Sequence, residues 1–399
     1  MTLEERLNSR VLLEDYETLE INGIDDLNDV IEYRTNRDCI FIADISSLEL
    51  VFINPNESVA AFKARVNAAL PEAEIESHVV SGNGIFLSFY TDINGVNKHG
   101  VLPVRDIALN SIYERARANC FTISNMDAMP DCQVLPLKTK VDFLNASFKL
   151  YGGKAKILYR DRKITSVMSG QYYHISYKNM DDGLNSLKSD FPDLTFRKAI
   201  ISQEVFTETY SLNSDELNED IALSMADAGL TVNDVDVTIS AYTSDHGKVA
   251  ATFYGKVILD DKAILFGAPV SIKHAGHKCD KDIEEAAQKL YSAFKENEER
   301  IKKLPSIKIK NPAGCFRLIC KEFHLPKKAA CTIADGLEGK RKVTAYELYY
   351  LLNELVFSLE SEGIDPIKLM TLQDEVARVL KIDWKKFDKE FLWARGEAA

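Results

Sequence analysis

The sequence predicts an α+β protein, with antiparallel strand meanders followed by a helical, basic C-terminal part. Three observations lead there. Apolar and polar residues alternate from Val232 to Lys273, as half-buried strands require. Beyond Asp280 apolar residues recur at helical spacing. Basic residues concentrate between Arg300 and Lys342.

The elements follow in order. "CIFIADISSLELVFIN" holds two short apolar runs, and "ESVAAFKARVNAAL" is helical in period behind Asn56 as a cap. Asn-Gly pairs at 83–84 and 94–95 favour tight hairpin turns. A helix is expected over Val104 to Ala118, and Pro130 and Pro136 then mark a boundary or hinge around 125–136. "KTKVDFLNASFKL" is helical, and Asp161-Arg162 turns the following strand-like stretch into a hairpin. "VDVTISAYT" and "VAATFYGKVILDDKAILFGAPVSI" form a meander of three or more strands with turns at "SDHGK" and "DDK". Asp282 with Glu285 and Thr344 with Glu347 have capping-box spacing, and Ile283, Ala286, Leu290 and Phe294 form an apolar face. Further helices are expected near 313–322, 326–335, 344–357 and 366–380. Three units result: a small α+β domain over 1–125, an α+β core with an antiparallel sheet over 137–280, and a helical region over 281–399.

The 399 residues, 46% hydrophobic and 28% charged, suit a globular protein of two or three domains. No apolar run reaches the roughly 20 residues of a membrane span, and the charged start "MTLEERLNSRVLLEDYE" is unlike a signal peptide, so a cytoplasmic location is expected. Seven cysteines without a CxxC pair predict reduced, mostly buried thiols.

Charge is segregated. Arg300 to Lys342 holds twelve basic residues against three acids, a charge of +9; the whole chain carries −12, which leaves −21 elsewhere. An acidic body repels phosphate everywhere except at a basic patch and so orients a polyanion onto it. The stretch "RIKKLPSIKIKNPAGCFRLICKEFHLPKK" also interleaves apolar and aromatic residues, the mixture used to grip single-stranded nucleic acid. Lys302, Lys303, Lys308, Lys310, Arg317, Lys327 and Lys328 are the candidate phosphate contacts, and Phe316 and Phe323 the candidate base-stacking rings. The competing reading makes Phe316, Leu318, Ile319 and Phe323 the core face of small helices with lysines solvating the other side.

Other chemistry finds less support. His274, His277 and Cys279 crowd into "VSIKHAGHKCDKD", but zinc sites announce themselves as two ligand pairs at fixed separation, and no second pair exists. A strand end and turn, with no metal, is the expectation. "SDHG" at 244–247 reads as a turn, since adjacent residues cannot face one another as a triad. No GxSxG, HExxH or Walker motif is present, and Asp181, Asp182, Asp260 and Asp261 read as solvated carboxylates, so neither enzymatic activity nor a cofactor is expected.

The stretch "KAKILYRDRKITSVMSGQYYHISYKNMDDGL", Lys154 to Leu184, resembles the phage- and plasmid-borne family called domain of unknown function 932. That family's pattern is a strand, a short charged turn, a "(V/L)SDRY" element and a helix. Val167, Ser169 and Tyr172 or Tyr173 match, while Gly170 and Gln171 stand where the family has Asp and Arg. "ALNSIYERARANCF", "PVSIKHAGHK" and "TAYELYYLLNEL" resemble its upstream helix, His-bearing strand and late helix, so the likeness covers 105–357 discontinuously. It implies an α+β fold and a mobile-element origin, brings no established catalytic residues, and makes His274 part of a strand-end motif. Its gene neighbourhoods point toward DNA. The expected function is a non-enzymatic phage or mobile-element protein that binds nucleic acid, with single-stranded DNA favoured, in replication, recombination or transcription. The alternative is an assembly or virion protein that self-associates or docks another phage protein.

Overall fold

The alternating segments do form antiparallel sheets. A computed structural model describes residues 1–399 except 55, 77–81, 119–122, 124–136, 190, 228–231, 245–249, 261, 266–268, 273, 275–279, 341–342, 362–365 and 394–399. The largest sheet has seven strands. In spatial order they are Thr18–Ile21, Thr195–Ser202, Val205–Ser211, Val235–Ser244, Ala251–Leu259 and Lys262–Leu265, with Val270–Ile272 also pairing to Ala251–Leu259. The expected meander from 232 onward is therefore present and extends to earlier strands. Of its "SDHGK" turn only Ser244, which ends strand Val235–Ser244, is among the described residues.

A second sheet orders Cys39–Asp44, Lys154–Arg160 and Lys163–Ser169. A third orders Glu49–Phe52, Ile85–Ile93, Val96–Pro103 and Glu74–Ile75, the last pair parallel. Two hairpin turns follow from local chemistry. Asn94-Gly95 and Asp161-Arg162 place both central residues at positive φ, as the right-handed twist of the flanking strands favours. Gly84 also has positive φ, but Asn83-Gly84 is no hairpin turn: Asn83 Oδ1 accepts from Ile85 N and its Nδ2 donates to Val104 O. The early helix is Val59–Ala69 and is capped by Ser58, whose hydroxyl accepts from Ala61 N, whereas Asn56 stands outside it with φ of 67°. The helix expected from Val104 is shorter, Leu109–Arg115, because the preceding strand runs to Pro103.

The three expected units do not partition the packing. The hinge region 125–136 lies outside the described residues, but Cys39–Asp44 pairs with Lys154–Arg160 across it, and Thr18–Ile21 pairs with Thr195–Ser202. The division at 280 is crossed by a continuous core joining Phe206, Val237 and Phe253 of the large sheet to Ile283, Leu290, Phe316, Leu348 and Trp384. Gly183 shows how tight this junction is. A Cβ there would lie 2.8 Å from Ile283 Cγ2 and 3.1 Å from the Phe253 ring, so a larger residue would push helix Tyr177–Asn185 off both neighbours.

Among the described residues beyond Asp280 the elements are helices apart from the short strand pair Lys308–Ile309 and Val343–Thr344. Helix Asp280–Lys303 starts two residues before Asp282, so Asp282 is not its cap. Thr344 and Glu347 do form the expected box before helix Ala345–Ser361: Glu347 N donates to Thr344 Oγ1 at 3.2 Å, and Thr344 N to Glu347 Oε2 at 2.7 Å. No helix among the described residues is long and apolar enough to cross a membrane.

Candidate nucleic-acid interface

Helix Pro312–Glu322 opens on Asn311-Pro312, with proline at the position where its missing N–H costs least. Ala313, Cys315, Phe316, Ile319 and Cys320 are buried in the core, and burial pushes the Cys315 thiol up to about 12. Over the helix's first turn runs a strap of residues 388–393. A Cβ on Gly314 would strike Lys389 O, lie 2.8 Å from Phe391 N and 3.1 Å from Glu390 Cα, so only glycine lets this strap pass. Asp388 fixes the strap, accepting from Lys310 N at 2.9 Å and Asn311 N at 2.7 Å. Two cation–ring contacts follow. Lys321 Nζ stands 5.2 Å from the Phe391 ring centroid, and Lys327 Nζ 5.5 Å from that of Trp393. Both rings are half-buried and Leu392 is exposed. Beside the strap a cleft of about 350 Å³ is lined by Lys310, Arg317, Lys340, Glu338, Glu390 and Phe391 among others.

The expected contact residues divide into three groups. Phe316 is fully buried and cannot offer a face to a base, and Phe323 packs partly into the same core, so the core-face reading holds for both. Arg317 is 6% exposed and donates to Glu338 at 2.6 Å and Asp335 at 2.9 Å; Lys302 is held by Glu298 and lies 3.9 Å from Asp220. These two charges are paired within the protein, Arg317 by the stretch's own Asp335 and Glu338 and Lys302 by Glu298 and Asp220 from outside it. Lys303, Lys308, Lys310 and Lys328 remain exposed, and with Lys321 and Lys340 they take no carboxylate partner among the described residues. Lys327 lies beside Trp393.

The aromatic rings beside these lysines are thus Phe391 and Trp393 rather than Phe316 and Phe323. A glycine in the first turn of a helix and an aromatic pair in "KEFLWAR" were the available signals.

The remaining candidates take structural places. His274 is buried, stacks on Tyr172 and hydrogen-bonds through Nδ1 to Tyr173 O, while His277 and Cys279 lie outside the described residues. No group of three or more His, Cys, Asp or Glu is placed to hold a metal ion among the described residues. Asp181 is not a solvated carboxylate: it is buried and accepts from the Tyr210 hydroxyl at 2.9 Å. Beside it Glu208 is wholly buried, its carboxyl oxygens without a hydrogen-bond partner, and burial first, then Asp181 and Asp182, push its pKa well up.

No protein-family model, curated protein or solved structure matches this chain.

Proposed function

We propose that this is a non-enzymatic protein, of phage or mobile-element type, that binds single-stranded nucleic acid across helices Pro312–Glu322 and Lys327–Gly336 and the 388–393 strap. The observation that carries the reading is the placement of half-buried Phe391 and Trp393 beside Lys321 and Lys327. Aromatic platforms flanked by cations hold single strands because every base has a stacking face, worth roughly 1–3 kcal/mol each, while lysines neutralise the backbone. Lys310, Lys328 and Lys340 extend the cationic surface, and a net charge of −21 outside 300–342 disfavours phosphate over the rest of the protein. Single-stranded DNA is the favoured partner, since the stretch from Lys154 to Leu184 resembles a family of mobile DNA.

A binding screen at two salt concentrations against single-stranded DNA, duplex DNA and RNA tests this. The reading expects single strands to bind more tightly than duplex and the F391A/W393A double variant to lose that preference. Large assemblies without nucleic acid, combined with no oligonucleotide binding, would replace it with the self-association reading.

A further inference from the structure

The cleft beside the strap carries both signs of charge around an apolar lining. Pro312, Gly314, Leu337 and Gly339 make that lining small or apolar, and Phe391 adds a half-buried ring. Its volume of about 350 Å³ lies at the low end of the roughly 300–1,000 Å³ usual for small-ligand sites, so it suits one nucleobase rather than a stack of them.

The charged groups around it differ in what they are free to do. Arg317 and Glu338 line the cleft but are joined to each other at 2.6 Å, and Asp335 takes a second Arg317 nitrogen at 2.9 Å. Lys310, Lys340 and Glu390 also line it and are exposed. Among the described residues the two ammonium groups have no carboxylate partner, and the Glu390 carboxylate has neither a hydrogen bond nor an ion pair. An acid at the cleft disfavours a phosphate inside it, which leaves the strand's backbone to lysines such as Lys321 and Lys328 that do not line it, and the cleft to a base.

A carboxylate only accepts hydrogen bonds and an ammonium only donates them. On its Watson–Crick edge guanine alone sets two donors side by side, N1–H and the N2 amine, and two carboxylate oxygens can accept both together. Adenine and cytosine set an amine beside a ring-nitrogen acceptor, and thymine sets N3–H between two carbonyls. Guanine O6, next to N1–H, is the acceptor an ammonium needs. We infer that this cleft takes one splayed-out base of the bound strand and selects guanine, with Glu390 accepting from N1–H and N2, Lys310 or Lys340 donating to O6, and Phe391 stacking on the ring. The selectivity rests on the single-strand binding proposed above, and adds to it a base preference that stacking and phosphate contacts do not supply.

Fluorescence anisotropy at low salt tests this with thymidine oligomers of one length, whose central base is thymine, guanine, adenine, cytosine or hypoxanthine. Guanine should bind about tenfold more tightly than thymine, adenine and cytosine no better than thymine, and hypoxanthine, which lacks the N2 amine, in between. E390Q changes an exposed side chain and removes a negative charge, so affinity for every oligomer should rise; the diagnostic quantity is the guanine-to-thymine ratio, which should fall toward one. Equal affinities across the series, hypoxanthine binding as well as guanine, or a guanine preference that survives in E390Q would overturn the inference and leave single-strand binding standing. Failure of every oligomer to bind would overturn both.

Discussion

The rings of Tyr172 and His274 lie face to face, their centroids 4.9 Å apart and their planes 4° from parallel. Around this stack Tyr173 N donates to His274 O at 2.9 Å, and Tyr172 Oη donates to Ser244 O at 3.1 Å. His274 thus ties the three-stranded sheet's exit to the end of the large sheet. Tyr172→Phe removes one buried hydrogen bond and should cost about 1 kcal/mol. His274→Ala removes stack and bond together and should cost about 2 kcal/mol. Denaturant unfolding measures both, and neither change should alter oligonucleotide affinity.

Gly314→Ala sets two effects against each other. Alanine favours the helix by about 1 kcal/mol, but its Cβ would strike the strap's backbone at Lys389 and Phe391. Backbone cannot move aside as a side-chain tip can, so the strap should detach. Faster proteolysis within 388–393 and a red-shifted Trp393 emission would report this. Single-strand affinity should fall about tenfold with the displaced rings.

Glu208 gives a pH dependence of definite sign. Its folded pKa is raised well above the ordinary 4.5, so below that value both folded and unfolded states hold the proton and its contribution is intact. As pH rises above about 4.5 the unfolded chain ionises first, and stability falls until the folded pKa is reached. Glu208→Gln should therefore stabilise the protein at neutral pH and give no gain near pH 4. Urea midpoints at the two pH values decide it.

Asp161 is the opposite case. Burial alone would push its carboxyl up, but Arg34, the Leu12 amide, Gln203 and Arg105 together hold it below the ordinary range. Its stabilisation is present at neutral pH and lost as pH falls through the folded pKa. Asp161→Asn keeps the turn, since asparagine tolerates the φ of 48°, but removes the carboxylate 2.9 Å from the buried Arg34 guanidinium, which is left with Asp38 at 3.5 Å. A loss of about 3–5 kcal/mol is expected by chemical denaturation.

What could be read from the sequence was what neighbours in the chain decide. The Asn94-Gly95 and Asp161-Arg162 turns, the Thr344–Glu347 box and the alternation from Val235 onward each depend on a few adjacent residues. The pairing of Cys39–Asp44 with Lys154–Arg160 was not legible, because nothing local tells an edge strand which distant strand completes it. That is why three units were expected where cores run across the divisions. The site shows the same limit. Lysine density was visible, but whether Phe316 or Phe391 faces outward depends on helix packing, and Arg317's neutralisation depends on where Asp335 and Glu338 fold back.

The salt dependence of single-stranded DNA affinity tests the central claim most directly. Four phosphate contacts predict a slope of log affinity against log salt of roughly −3, and K310A/K321A/K328A/K340A should flatten it toward zero. No binding at low salt, or a slope that the four substitutions leave unchanged, would contradict the account.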